Sequence, residues 1–199
     1  MPKVTEEHKN ARREQIAQAA LRRFSRAGFA ATSMADIIEE SGLSAGAIYS
    51  HYKSKDELIR LAVAEIMDAR FFEVAAARDR DPLPSPGAVV RLLVSGLTEQ
   101  VGELQLLLQV WGQVPINPEL GTVAAEIGER ITGMLRDYLT HWYASGLGVP
   151  EDRAATLAQR YVSIYVGLVH GYVTQSSLFT GFDGEAYLTA IDEIALPTD

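Results

Sequence analysis

The chain has 199 residues, 47% hydrophobic and 22% charged, with a formal net charge of -8, a balance that fits an ordinary water-soluble globular protein. It contains no cysteine, which excludes a disulfide framework, thiolate chemistry and cysteine-based zinc sites and fits a reducing cytoplasm. No signal-peptide core precedes residue 30, and the longest apolar-rich run, Tyr161 to Val173, is too short to span a membrane and is interrupted by His170 and two glycines.

A first helix is expected from Thr5, with Glu6 and Glu7 in its first turn and Ile16, Ala20, Phe24 and Ala27 on one buried stripe, ending at Gly28. Arg12, Arg13, Arg22, Arg23 and Arg26 lie largely off that stripe; they either reach a nucleic-acid backbone or keep the helix solvated. Ser33 with Asp36 reads as a capping box that opens a second helix, and Ser41-Gly42 closes it, because glycine takes the left-handed conformation a helix end needs. Ser44 then opens a third helix after a three-residue turn, with Ile48 facing back toward Ile37 or Ile38. Short helix, tight glycine turn, short helix is the sequence form of a helix-turn-helix. The third helix begins Ser44-Ala45-Gly46-Ala47, a turn with almost no side-chain bulk, followed by Tyr49, Ser50, His51, Tyr52, Lys53 and Lys55. A helix that reads DNA enters the major groove by its N-terminal residues, where slimness permits close approach, and donors and cations suit phosphate oxygens. The alternative is a small-residue turn packed against another helix.

Ser54-Lys55-Asp56-Glu57 reads as a second capping box opening a longer helix through Leu58, Leu61 and Ala69 to about Ala77. That helix starts beside the helix-turn-helix and runs into the rest of the chain, and residues 78–86, with three prolines, form a linker. Further helices are expected at 86–101 and 103–112, then from Asn117-Pro118 through Leu120, Ile127, Ile131, Met134, Tyr138 and Trp142 to near Ser145-Gly146. Residues about 150–179 form the most apolar helix, hydrophobic all round over Tyr161 to Val173, so it is expected to be buried on two sides, one of them against a second subunit. Ser163, Gly167 and Gly171 recur every four residues and offer a groove for close approach; the competing reading is a central core helix of a monomer. Asp183 caps a last helix carrying Tyr187, Leu188, Ile191 and Ile194, stopped by Pro197. With no convincing alternating strand pattern, the fold expected is all-α with about nine helices.

The acidic total hides an uneven distribution. Residues 1–55 carry nine Lys/Arg against six Asp/Glu, residues 56–199 carry nine against twenty, and every lysine lies at or before position 55. A basic head on an acidic body is the asymmetry of a DNA-binding module attached to something else.

Ala20, Phe24, Gly28, Thr32-Ser33, Ile37, Ser41-Gly42-Leu43-Ser44, Gly46, Ile48-Tyr49, Tyr52-Lys53-Ser54-Lys55 and Leu58 together closely resemble the start of the TetR family of bacterial transcriptional regulators. Ile38 and Ser41 depart mildly from that pattern. The resemblance implies a helix-turn-helix DNA-binding domain over 1–53 and an effector-binding and dimerisation domain over 54–199, with a connecting helix at about 54–77. By position, Thr32 and Ser33 would touch phosphate, Ser44, Ala45 and Gly46 would lie nearest base edges, and Tyr49, His51, Tyr52 and Lys55 would contact backbone. The dimer would use the last two long helices, with Ser163, Gly167, Gly171, Tyr187 and Ile191 at the interface.

Phe71, Trp111, Met134, Tyr138, Trp142, Tyr165 and His170 are candidates to line an effector cavity, since pockets combine apolar walls with a few placed polar groups; each is equally readable as core. His141 and His170 lack ligand-spaced partners, so no metal site is expected, and with no nucleophile–base pairing or phosphate loop no catalytic residue or cofactor is expected either. The function expected is a cytoplasmic, homodimeric regulator, most often a repressor in this family, that binds double-stranded operator DNA and is released by a small-molecule effector. Two alternatives stand beside it: a DNA-binding dimer with no physiological ligand, and a helical enzyme with a docking module.

Overall fold

The computed structural model describes residues 6–194 and 197–198. Nine α-helices follow one another among the described residues: α1 (Glu6–Ala27), α2 (Met34–Ser41), α3 (Ala45–Tyr49), α4 (Lys55–Ala77), α5 (Pro86–Val101), α6 (Gln105–Gln113), α7 (Pro118–His141), α8 (Glu151–Leu178) and α9 (Gly184–Asp192). A π-helical turn, Trp142–Gly146, extends α7. The expected start at Thr5 lies outside the described residues.

Helix ends follow local chemistry. Ser33 Oγ accepts from the Asp36 amide while Asp36 Oδ2 accepts from the Ser33 amide at 2.8 Å, completing the first capping box. The second box differs by one residue: Ser54 Oγ accepts from the Glu57 amide, but Glu57 Oε2 reaches back to the Lys53 amide. Gly28 and Gly42 take positive φ, 83° and 67°, where they end α1 and α2. Ser85 and Asn117 cap α5 and α7, each followed by a proline whose missing N–H costs nothing in the first turn. The last helix stops at Asp192, short of the expected Pro197, and Ile194 is 47% exposed.

Two main cores result. The larger joins Val74 and Ala77 of α4, Val89, Val90, Leu93 and Val94 of α5, Leu135, Tyr138 and Leu139 of α7, Ala158, Val162 and Tyr165 of α8, and Leu188 and Ile191 of α9. The smaller gathers Ile16, Ala20 and Phe24 of α1 with Phe29, Ile37, Ile48, Tyr52, Leu58 and Ile59. Ala27, expected on the α1 stripe, is exposed; the chain turns at Gly28 and Phe29 fills the place instead, edge-on to Phe24. Val101, Leu106 and Leu120 close this smaller core from α5, α6 and α7. The head is therefore packed onto the body through a shared apolar seam, not hung from a linker.

Candidate nucleic-acid interface

The helix pair at residues 33–49 is built so that α3 stands outward. Ile37 and Ile48 are completely buried and anchor α2 and α3 to α1. Ser44 caps α3 with its hydroxyl accepting from the Ala47 amide. Ser44, Ala45 and Gly46 are exposed, and a Cβ added at Gly46 would meet no heavy atom within 4 Å. Beside this open first turn, Tyr49 is half exposed, Ser50 and Lys53 are exposed, and His51 is partly covered.

The remaining residues of the expected set are engaged with other groups of the head. Thr32 is 2% exposed and its hydroxyl donates to the Gly28 carbonyl at 2.8 Å. Ser33 is exposed, but its hydroxyl is engaged with Asp36. Those Ser33 hydrogen bonds, and after them Arg23, pull the Asp36 carboxyl down to about 2. Tyr52 is 3% exposed with its hydroxyl directed to the Arg13 carbonyl.

The arginines of α1 divide into two groups. Arg22 and Arg26 pair with Glu40, and Arg23 pairs with Asp36, so these three tie α1 to α2. Exposed pairs of this kind add little stability but fix side-chain direction. Lys9, Arg12 and Arg13, nearer the start of α1, lie on the His51 side. Burial, and after it the charges of Arg13, Arg12 and Lys9, hold the His51 imidazole below its ordinary value. Four basic groups thus converge next to α3.

Lys55 has a different occupation from the one its charge suggests. Its ammonium donates to the carbonyls of Thr32 at 2.9 Å and Phe29 at 3.0 Å and sits 4.4 Å from the centre of the Phe29 ring. On the other side of the same residue, the Phe29 amide donates to Gln109 Oε1 of α6 at 2.7 Å. Phe29 is thereby clamped from α4 and α6 at once. Gln109 lies 80 residues away in sequence, so no local spacing announces the contact. Lys55→Ala and Gln109→Leu are each expected to lower stability by about 1–3 kcal/mol, since each strands buried backbone groups. Chemical denaturation of the two variants and the parent measures this, and a change within a few tenths of a kcal/mol (roughly experimental scatter) contradicts the clamp.

The seven residues considered for an effector fall in three places. Phe71 and Met134 meet in a shallow, solvent-open groove between α4 and α7 that also carries Arg78, Arg130 and Asp137. Trp111 lies edge-on to His170, ring centres 4.9 Å apart, between α6 and α8. Tyr138 and Tyr165 are in the main core, the Tyr138 hydroxyl donating to the Pro84 carbonyl at 2.7 Å, and Trp142 packs on Tyr143. The five residues considered for a dimer face also separate. Ser163 and Gly167 are exposed on α8, in line with Ile164 at 52% exposure and His170. Gly171 faces inward, where an added Cβ would lie 2.6 Å from the Tyr187 hydroxyl, and Tyr187 donates to the Leu168 carbonyl while Ile191 is in the core. These last three are used within the chain, between α8 and α9. Among the described residues, no group of three or more His, Asp or Glu is placed to hold a metal ion, and no helix is long and apolar enough to cross a membrane.

Comparison with known proteins agrees with the helix-turn-helix reading of the head. Residues 16–62 match the family described as bacterial regulatory proteins, tetR family. The chain is 43% identical over 67 residues to the uncharacterised HTH-type transcriptional regulator YfiR of Bacillus subtilis, covering 34% of this chain and 33% of that protein. It is 33% identical over 101 residues to the HTH-type transcriptional regulator TtgR of Pseudomonas putida, covering 51% of this chain and 48% of that protein. The matched stretch thus spans half or less of these curated relatives. Among solved structures, a TetR transcription regulator from Haloarcula marismortui superposes with a TM-score of 0.66 at 20% identity, covering 92% of this chain and 94% of that one. Salmonella enterica GusR superposes at 0.63 and 20% identity over 96% and 97%. At such identities the superpositions speak to the fold alone; the relatives matched by sequence are transcriptional regulators rather than enzymes.

Proposed function

We propose that this chain, which belongs through residues 16–62 to the tetR family of bacterial regulatory proteins, is a homodimeric repressor that binds operator DNA and is released by a small-molecule effector. The observation that carries the reading is the tip of α3: Ser44, Ala45 and Gly46 project without bulk, flanked by Tyr49, Lys53 and the basic group around His51. A slim turn reaches base edges, and the surrounding donors hold phosphates that fix its register. A regulator that acts on the genomic DNA of a bacterium would work in the cytoplasm. The dimer reading is supported by the exposed stripe Ser163, Ile164, Gly167 and His170, apolar at its centre and small enough for close helix approach. Two copies then read two half-sites related by the dimer axis.

The shared seam gives an effector its route to the head. Movement of α4 or α6 is felt at Phe29 through Lys55 and Gln109, so a ligand that binds better to one arrangement of these helices alters the spacing of the two heads. A second reading, a DNA-binding dimer with no physiological ligand, draws support from the scatter of the seven candidate residues over three places.

His51 supplies a test of sign. Its imidazole is held low by burial and then by neighbouring cations. A phosphate placed beside it favours the charged form and raises its pKa in the complex, so binding takes up a proton. Affinity is expected to rise as pH falls through the bound-state pKa and to level off below the free-state pKa. For folding the sign is opposite: the depressed value costs stability as pH falls below the unfolded 6.5. Anisotropy titrations between about pH 5.5 and 8 on parent and His51→Asn measure this, and an unchanged slope in the variant removes His51 from the interface.

The whole reading is tested by titrating duplex DNA from upstream of the protein's own gene. Two chains bound per duplex, with affinity falling steeply as salt rises, is the expected result. Failure to bind, or equal binding to unrelated duplex, overturns it.

A further inference from the structure

The body of the protein contains one cation that its packing leaves without enough acceptors. Arg70, on the face of α4 turned to α5, is 5% exposed. Its Nη2 pairs with Glu73 Oε1 at 2.8 Å, one turn along the same helix. Its Nε and Nη1 have no hydrogen-bond partner. The guanidinium points end-on at α5 through Nη1, so close to Gly96 that a Cβ there would sit 0.9 Å from Nη1 and 2.2 Å from Cζ. The missing side chain at Gly96 is what gives the guanidinium its place.

Two buried acceptors, one on α4 and one on α5, are also unused. Glu73 Oε2 is buried without a donor, and so is Gln100 Oε1. Gln100 stands four residues after Gly96, on the same face of α5. Native interiors satisfy nearly all buried polar atoms, and charged ones most strictly. Here the Arg70–Glu73 pair keeps two donor nitrogens and one acceptor oxygen open where α4 meets α5 at Gly96, and Gln100, one turn further along α5, keeps a second acceptor open. Among the described residues, the other buried side-chain nitrogen or oxygen without a partner is Arg23 Nε in the head.

We propose that Arg70 seats the carboxylate of a small organic acid, and that a hydroxyl or amine of the same molecule donates to Gln100 or Glu73. This deepens the effector reading above and rests on it. A planar guanidinium with open N–H groups in low dielectric favours an anionic oxygen acceptor. Glu73 already offsets the charge of Arg70, so an incoming anion is held by the open N–H groups rather than by net charge, and a phosphate dianion, which brings twice the uncompensated charge, is disfavoured against a carboxylate. The place also suits regulation. Arg70 lies on the helix that begins at Lys55, whose ammonium holds the Phe29 turn of the head. A carboxylate drawn between α4 and α5 changes the seating of α4, and the head feels it through Lys55.

The test is thermal unfolding of the full chain with sodium propionate, lactate, benzoate or phosphate, each against sodium chloride at equal ionic strength. A carboxylate at about tenfold over its Kd is expected to raise Tm by roughly 3–6 °C, lactate more than propionate because of its hydroxyl. Arg70→Gln is expected to weaken that binding by about tenfold or more. Should Arg70→Gln fail to fold, Gln100→Leu keeps the guanidinium and is expected to erase the advantage of lactate over propionate. The proposal is overturned if no carboxylate exceeds chloride, if phosphate does as well, if the shift survives in Arg70→Gln, or if the lactate advantage survives in Gln100→Leu. Titration of the upstream duplex separates this from the larger reading: DNA binding without a carboxylate response sinks only the Arg70 site, and a carboxylate response without DNA binding sinks only the regulator.

Discussion

Gly46→Leu is expected to leave the melting temperature unchanged or slightly raised while weakening operator binding on the order of 100-fold. The two halves of that result have separate causes. In the free protein an added Cβ at Gly46 meets nothing within 4 Å, and its backbone is ordinary helix. Leucine is the better helix former by roughly 0.5–1 kcal/mol, so the fold has no reason to suffer. On DNA the same side chain occupies the space through which the first turn of α3 approaches the base edges. Anisotropy with the upstream duplex, alongside a thermal melt, separates the two. A variant that binds as well as the parent removes the tip of α3 from the interface.

The second large effect is at Gly167. An added Cβ there also meets nothing within 4 Å in the single chain, and Gly167 is exposed between Ile164 and His170. Gly167→Asp is therefore expected to leave the subunit folded. In a two-fold dimer built on this stripe it sets two carboxylates against each other across the axis and buries both. The expected outcome is a monomer by sedimentation equilibrium, with DNA affinity reduced by about 10²-fold or more as the linkage between heads is lost. A variant that remains dimeric takes this stripe out of the interface. Gly171 would not make the same test, since its open side is already filled by the Tyr187 hydroxyl and substitution there strains the subunit itself.

The head was largely legible in its sequence because its signals are local. Ser33 with Asp36, Gly42 and Ser44 each act within four residues, and they set both helices and the turn between them. Side-chain occupation was less legible. Lys55 looks like a phosphate contact from its charge and position, yet the carbonyls that hold it belong to a turn more than twenty residues earlier. Thr32 and Tyr52 likewise carry hydroxyls suited to a phosphate but are buried under the head's own packing. In the body the apolar residues of α8 announced burial without saying by what; Val162, Tyr165 and Val173 turn to the core, whereas Ile164 remains exposed. Arg70 gave no signal at all, because its burial depends on a glycine 26 residues later in another helix.

Hydroxyl-radical footprinting of the full chain on its upstream duplex tests the central claim most directly. Two protected patches on one face of the DNA, centred roughly 34–36 Å apart, or a multiple of that, are predicted for two α3 tips carried by one dimer. Protection of a single patch, or none above that on unrelated duplex, would contradict it.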